Sequence, residues 1–486
     1  MSIRRSLAFS FLEKYASTAI NVASTLALAR LLTPEEIGVF SVGAAVVGIV
    51  HALRDFGVTN YLIQEREVDR QKLRTAFTVT LGLSWLFAAV LLLMSGIAAD
   101  FYREDGLREV IWVMAANFVL IPFGSPILAL MRREMQFGRL AAIHVAATAV
   151  NAATGITLAA TGFGFMSLAW ASLAGVATTS GLAFLSRPHA FLLRPGLHEW
   201  RSVLSFGGYA SANALIGDFR QVGPDLIIGR MLGFEAVGLH SRARGLLSIF
   251  SRLITQALQP VLLPALAQKV RRGEDLRETY LKAMEYVTVL YWPFLAFLGL
   301  MSDPIVYILL GPQWDAVAPL VSILCGSYAL AFPSFLTQPL LISLGRIRDT
   351  LTLNLIMLPV GLFFLTVGAL HSLTMVVILS YPTAFLGTVV TLTLVRRQVR
   401  FSLPELARRT GRSALVTLAA AAVPVAVLAW ANGDEVPLPL FLLAAVAFCL
   451  LWGAALLLLR HPFADELRHT LALVAGKLRA GRFSRR

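Results

Sequence analysis

The sequence predicts an all-α polytopic membrane protein of about fourteen transmembrane helices, built as two parallel six-helix repeats followed by two further helices. Three observations carry this. First, of 486 residues 57% are hydrophobic and only 14% charged, with a mean hydropathy of +0.72. Soluble domains average about 25% charged residues. Second, apolar windows of about 20 residues, the length needed to cross a bilayer, centre near residues 20, 46, 86, 120, 150, 175, 217, 248, 292, 328, 360, 385, 421 and 449. Third, the chain repeats itself at an offset close to 200 residues.

Taken in order, the basic stretch Met1 to Arg5 leads into an apolar run like a signal sequence. No small-residue cleavage site follows, so the run is read as a retained first helix. Beyond it the loops alternate in charge. One set of loops, with both termini, holds 32 Lys and Arg; the opposite set, with Arg30 and Arg230 at helix ends, holds four. The positive-inside rule then places both termini in the cytoplasm. The net charge of +14 is spread over these short loops, a pattern that suits membrane lipids and no nucleic acid. Cys325 and Cys449 lie in apolar runs and suggest no disulfide framework.

The repeat is ordered. Arg30-Leu-Leu-Thr-Pro-Glu35-Glu-Ile-Gly38-Val-Phe-Ser41 matches Arg230-Met-Leu-Gly-Phe-Glu235-Ala-Val-Gly238-Leu-His-Ser241 at an offset of 200. Trp85 to Ser95 matches Trp292 to Ser302 at 207, with seven of eleven positions identical. Residues 1–200 and 201–400 are therefore expected as two six-helix lobes, with 401–460 as two extra helices. Parallel repeats of this kind place a substrate site between the halves of a transporter. Residues 461–486 form a basic cytoplasmic tail, with Leu467, Leu471, Val474 and Leu478 on one face of an amphipathic helix lying on the anionic leaflet. Prolines 224, 260, 264, 293, 333, 359, 382 and 424 mark expected kinks.

The candidate site is the charge inside the spans. A charge at the bilayer centre costs at least about 2.5 kcal/mol and needs a partner or a watery cavity. In the eighth span His240, Arg244, Ser248, Ser251, Arg252, Thr255 and Gln259 share a broad stripe at 100° per residue, and Ser211, Asp218, Gln221 and Asp225 share one in the seventh. Facing each other, they would line a cationic space for an anionic passenger. Arginine forks fit phosphate oxygens, which makes Arg244 and Arg252 the candidate anion site. The alternative is structural pairing of these arginines with Asp218, Asp225 or Glu285. Arg220, on the face opposite Asp218, either lines a second wall or locks the lobes together. Asp218 and Asp225 are candidates for ion coupling, or else ion-pair partners. In the first span Glu13, Ser17, Asn21 and Ser24 form a further polar stripe; Glu13 either couples ions or forms an interface pair with Lys14. Arg54, beside Asp55, would meet a headgroup at the inner rim or cap its own helix. The histidines are scattered, and neither metal-ligand spacing nor a Gly-x-x-x-x-Gly-Lys loop occurs, so no catalytic constellation, metal site or ATP site is read from the sequence and no cofactor is expected.

At this point the sequence resembles a known family. Asp225-Leu-Ile-Ile-Gly229-Arg230-Met-Leu232-Gly233 with Gly238-Leu-His-Ser241-Arg-Ala243 is similar to a stretch of the polysaccharide transporter family, within the multidrug/oligosaccharidyl-lipid/polysaccharide exporter superfamily. Leu31 to Gly38, Leu130 to Phe137 and Gly311-Pro-Gln-Trp314 resemble it too; His240 stands where the family usually has Tyr. The resemblance covers roughly residues 5–400. It implies a MATE-like V of two lobes working by alternating access, and a passenger that is an undecaprenyl-diphosphate-linked oligosaccharide. A proton or sodium ion is implied as coupling ion, with polysaccharide polymerase and chain-length proteins as partners. The expected protein is thus a bacterial inner-membrane flippase for cell-surface polysaccharide biosynthesis. An ion-coupled multidrug exporter of the same fold is the alternative. A membrane glycan polymerase or ligase is a third, although the external loops are short for holding acceptor sugars.

Overall fold

The computed structural model describes residues 3–54, 62, 65, 69–187, 195–196, 217–431, 436–466 and 468, with backbone only for 3–8, 52, 250, 252–263, 265 and 347. These residues form helices and no strand. In chain order they are α1 (Ile3–Leu31), α2 (Pro34–Arg54), α3 (Arg70–Tyr102), α4 (Gly106–Arg133), α5 (Phe137–Ala160) and α6 (Met166–Ser186). Then come α7 (217–232), α8 (Phe234–Arg271), α9 (Arg277–Leu300), α10 (Ser302–Leu309) and a single turn at Pro312–Trp314. The chain continues with α11 (Val317–Leu330), α12 (Ser334–Ser343), α13 (Ile347–Ala369), α14 (Leu373–Ile378), α15 (Ser380–Val399), α16 (Leu403–Ala431) and α17 (Leu438–Leu458). Eleven stretches among the described residues are long and apolar enough to cross a bilayer, and the chain is a multi-pass membrane protein. Helices α1, α7 and α8 stand outside those eleven. They are the helices that carry most of the candidate charged side chains.

Local chemistry sets the helix ends. Thr33 and Glu36 form a capping box at the start of α2: Glu36 Oε2 accepts from the Thr33 N–H at 2.8 Å, and Thr33 Oγ1 accepts from the Glu36 N–H at 3.3 Å. Pro34 occupies the first helical position, where its missing N–H costs nothing. Asp69 caps α3 by accepting from the Lys72 N–H at 2.7 Å. Gly233, at φ +88°, turns α7 into α8 in a conformation that penalises any side chain. Of the expected kinks, Pro293, Pro359 and Pro424 lie inside α9, α13 and α16. The span expected near residue 328 is the stretch Val317–Ser343, broken within its length at Pro333, the N-cap that separates α11 from α12.

Two compact units emerge. One comprises Met1–Ser241 with Leu309–Trp314 and Leu365–Leu373; the other comprises Arg242–Ile308, Asp315–Phe364 and Thr374–Arg486. In the first, α5 packs on α6 and α1, and α4 on α3 and α6. Small residues allow the close approach: a Cβ added at Gly155 would lie 3.2 Å from that of Ala171. Leu73, Ala76, Val79, Ile127, Met131, Leu140 and Ile143 form its core near the α3 and α4 ends. In the second unit α16 lies along α9 and α17 along α16, around Val289, Val416, Ala455 and Leu456. Leu93, Trp430 and Leu458 are 80%, 74% and 81% exposed, an apolar surface for lipid to cover.

Candidate functional site

Glu13 of α1 is half-buried and meets His144 of α5, with Oε1 2.6 Å from Nδ1. Its partner is thus across a helix interface, while Lys14 beside it points outward and is exposed. One turn on, the Ser17 hydroxyl is buried with no hydrogen-bond partner among the described residues. Asn21 is exposed and Ser24 buried, so the polar stripe of α1 runs from a helix contact to open surface. The sequence held a signal for His144, a lone imidazole in an apolar helix, but no periodicity could link it to Glu13.

Arg54 closes α2, and it is 6% exposed rather than spread at a solvated rim. Its Nη2 lies 3.4 Å from His51 Nε2, one turn back, and its guanidinium carbon lies 6.0 Å from the Phe118 ring centroid. A guanidinium so placed is weakly hydrated and stacked. Asp55 lies outside the described residues.

On α7, Asp218 and Arg220 are exposed and Asp225 is half-buried. The same helix is held against α2 by Gly229, where a Cβ would come within 2.7 Å of Val42 Cγ2. On α8, Arg244 is half-buried. Ser251 bonds the Leu247 carbonyl and the Tyr291 hydroxyl, each at 3.1 Å. The side chains of Arg252 and Gln259 lie outside the described residues, as do Leu467 and the tail beyond Arg468.

Glu285, one of the carboxylates considered as a partner for the α8 arginines, faces other groups. It is fully buried, with Arg409 Nη1 at 3.9 Å and His461 Nε2 at 3.8 Å. Ser413 joins them, donating to the Glu285 carbonyl at 3.2 Å and lying 3.2 Å from His461 Nε2. The Phe463 N–H points at His461 Nδ1 from 3.2 Å. Nδ1 is therefore the lone-pair nitrogen and Nε2 carries the hydrogen. Burial, reinforced by the Arg412 charge, pushes the His461 imidazole down to about 4. Beyond the ends of α4 and α6, Arg187 forms a bidentate pair with Glu134 and holds that carboxyl below its usual range.

A second assembly gathers where α1 turns into α2 and α7 into α8. A Cβ on Gly38 would lie 1.8 Å from the Phe234 carbonyl oxygen, and one on Gly238 1.9 Å from that of Pro34. Around them Tyr102 donates to the Leu226 carbonyl at 3.1 Å, and the Arg230 guanidinium lies 5.0 Å from the Phe101 ring centroid. The Trp314 indole and the Gln313 amide both donate to the Ala29 carbonyl, at 2.6 and 2.8 Å. The repeated Glu-x-x-Gly spacing was the sequence signal for this contact; the role of Trp314 had none beyond family resemblance.

The chain is 26% identical over 304 residues to the lipopolysaccharide biosynthesis protein WzxC of Escherichia coli (strain K12), a match that spans 61% of each chain. It is 26% identical over 352 residues to the succinoglycan biosynthesis transport protein ExoT of Rhizobium meliloti (strain 1021), covering 71% of this chain and 70% of that one. Its fold is similar to that of the lipid II flippase MurJ in an inward closed conformation, with a TM-score of 0.74 at 11% identity over 95% of this chain and 99% of that one. A sequence profile described as "Polysaccharide biosynthesis protein" matches residues 27–319, and with more than half of its length inside that match the chain belongs to this polysaccharide biosynthesis protein family.

Proposed function

We propose that this protein is a flippase. It carries a polyprenyl-diphosphate-linked oligosaccharide repeat unit from the cytoplasmic to the outer leaflet of a bacterial inner membrane by alternating access, for surface or exopolysaccharide assembly. The observation that carries the reading is the family match over residues 27–319, on a chain whose helices α1, α7 and α8 carry most of the candidate charged side chains. Relatives named for lipopolysaccharide biosynthesis and succinoglycan transport support it. The excess of basic residues in alternate loops supports cytoplasmic termini.

Within this reading the repeats 1–200 and 201–400 are the two moving lobes. Arg244 and Arg252 neutralise the diphosphate, and Arg54 with its His51 and Phe118 neighbours receives the headgroup at the inner mouth. Arg220, Gln259 and Asn21 contact the glycan. Asp218, Asp225 and Glu13 are the groups available for coupling to a proton or sodium ion. Polymerase and chain-length proteins act on the delivered unit.

The test is a reconstituted assay in which a fluorescent lipid-linked diphosphate oligosaccharide crosses a vesicle bilayer. Arg244→Ala with Arg252→Ala is expected to abolish translocation while insertion and thermal stability persist. Wild-type rates in that double variant would remove the site assignment, and absence of translocation by the wild type would remove the function.

A further inference from the structure

A proline inside a transmembrane helix frees the carbonyl four residues before it, because its ring nitrogen has no hydrogen to return. In lipid that carbonyl needs a donor from elsewhere. On α9 the proline is Pro293, and the carbonyl is that of the buried Val289. The Trp452 indole of α17 donates to it at 3.0 Å. At the break between α11 and α12 the proline is Pro333, and the carbonyl is that of Ala329. The Trp292 indole of α9 donates to it at 3.1 Å. The next carbonyl, Leu330, is served from outside as well: the Ser334 N–H turns to Ala331 at 3.1 Å, and Thr388 of α15 donates to Leu330 at 2.8 Å.

The two indoles stand in series. Trp292 and Pro293 are neighbours in the chain, so the residue that closes the break of one span is joined to the residue that bends another. Ring contacts hold both indoles in place. Trp292 stands edge-on to Phe332 beside the break, with centroids 5.3 Å apart, and Trp452 packs on Phe463 at 6.4 Å. The first half of the chain differs. Trp85, 207 residues before Trp292, is 49% exposed, and α4 runs unbroken through Pro126, which precedes Pro333 by the same 207. Both halves hold the tryptophan and the proline; among the described residues an indole meets a proline-freed carbonyl in the second half alone.

We propose that α17, α9 and the α11–α12 pair form one linkage, in which Trp452 and Trp292 join the bend at Pro293 to the break at Pro333 and so set the angle between α11 and α12 during transport. This rests on the transport reading above and adds two positioning residues to it.

At a proline the helix has no backbone bond to lose when its angle changes, so the angle is set by whatever holds the freed carbonyl. Here the holder is in each case a flat ring with a single N–H donor, and it fixes where that carbonyl lies. Turning α12 about Pro333 shifts Ala329 against Trp292. The displacement reaches Pro293 through the backbone of α9, and from there Val289 and Trp452. Such coupling is established by perturbing one end and reading the other.

Two measurements test this. The first needs no substrate: the distance between nitroxide labels at the exposed Ser322 of α11 and Ile342 of α12, read on the full-length protein in vesicles with Cys325→Ser and Cys449→Ser. Trp292→Phe, which keeps a ring and removes the donor, should broaden the distribution severalfold. Trp452→Phe, a change on α17, should broaden it as well, and Trp85→Phe should leave it unchanged. An unaltered distribution in either indole variant, or equal broadening in Trp85→Phe, overturns the linkage. The second is translocation of the lipid-linked glycan in vesicles, set beside thermal unfolding. Trp452→Phe should lower the rate severalfold and lower the melting temperature. Adding Pro293→Ala returns an N–H to the Val289 carbonyl and straightens α9, so the melting temperature should recover while the rate stays low. A rate that recovers with it would leave the indole a purely structural role and overturn the positioning claim. Label distances that respond as expected in a protein that moves no lipid-linked glycan reject the transport reading instead.

Discussion

Gly238 rests on the carbonyl oxygen of Pro34, and the same relationship recurs two hundred residues apart in the opposite sense, with Gly38 on the carbonyl of Phe234. The two contacts are related by the offset of the sequence repeat. Each demands the absence of a side chain, since a Cβ would come within 2 Å of an oxygen. Neither helix start can withdraw without undoing both.

Gly38→Ala and Gly238→Ala are therefore expected to open this end of the bundle rather than unfold the protein. Overpacking of this kind costs about 1–3 kcal/mol per site. A cysteine placed at the buried Val237, in a background lacking Cys325 and Cys449, should react severalfold faster with a membrane-impermeant thiol reagent in either variant. Equal labelling in variants and parent would mean that the contact yields elsewhere.

Ala29 lies in the last turn of α1, where carbonyls have no partner within their own helix. Trp314, fully buried, and Gln313 both donate to it. Losing one donor costs about 1 kcal/mol, and losing the last leaves a buried acceptor unsatisfied. The double variant Trp314→Phe, Gln313→Ala should thus lose more in thermal unfolding than the two single losses added. Additive losses would show that the two donors act separately.

The group around Glu285 gives a contrast between removing a charge and stranding one. Arg409→Ala leaves Glu285 buried without its cation, and it also removes the bidentate pair with Glu278 at 2.6 and 2.9 Å. The expected cost is about 3–5 kcal/mol. Glu285→Gln keeps the volume and removes the charge, and should shift stability by no more than about 1 kcal/mol. A larger loss for Glu285→Gln would reverse this account.

His461 supplies a dependence on pH. Its imidazole sits at about 4 against an ordinary 6.5, so on acidification the unfolded chain takes up the proton first. Stability present above about pH 6.5 is then lost as pH falls toward 4, by up to about 3 kcal/mol from this one group. Melting temperatures measured across that range should fall less steeply in His461→Gln than in the wild type. Parallel curves would assign the acid sensitivity to other groups.

Much of the fold was legible because membrane insertion is decided by runs of apolar side chains along the chain, which hydropathy records directly. The breaks were less so. Pro333 divides a span that looks continuous in composition, since apolar content is blind to a missing N–H. The site was legible as a set of helices and not as a set of contacts. The sequence singled out α1, α7 and α8 by their charge, yet it paired Glu13 with Lys14 or with an ion rather than with His144, and offered Glu285 to the α8 arginines when Arg409 and His461 face it.

By itself the sequence determined a polytopic helical protein, its repeat and the helices on which charge is concentrated, because each of these depends on residues close together in the chain or on their copies at one offset. Tertiary structure alone decided which polar groups meet: Glu13 with His144 across 131 residues, Ala29 with Trp314 across 285, Ser413 with His461 across 48. Such pairings depend on how helices of nearly uniform apolar surface choose their neighbours, and that choice is made by small residues and close packing that leave no periodic trace in the chain.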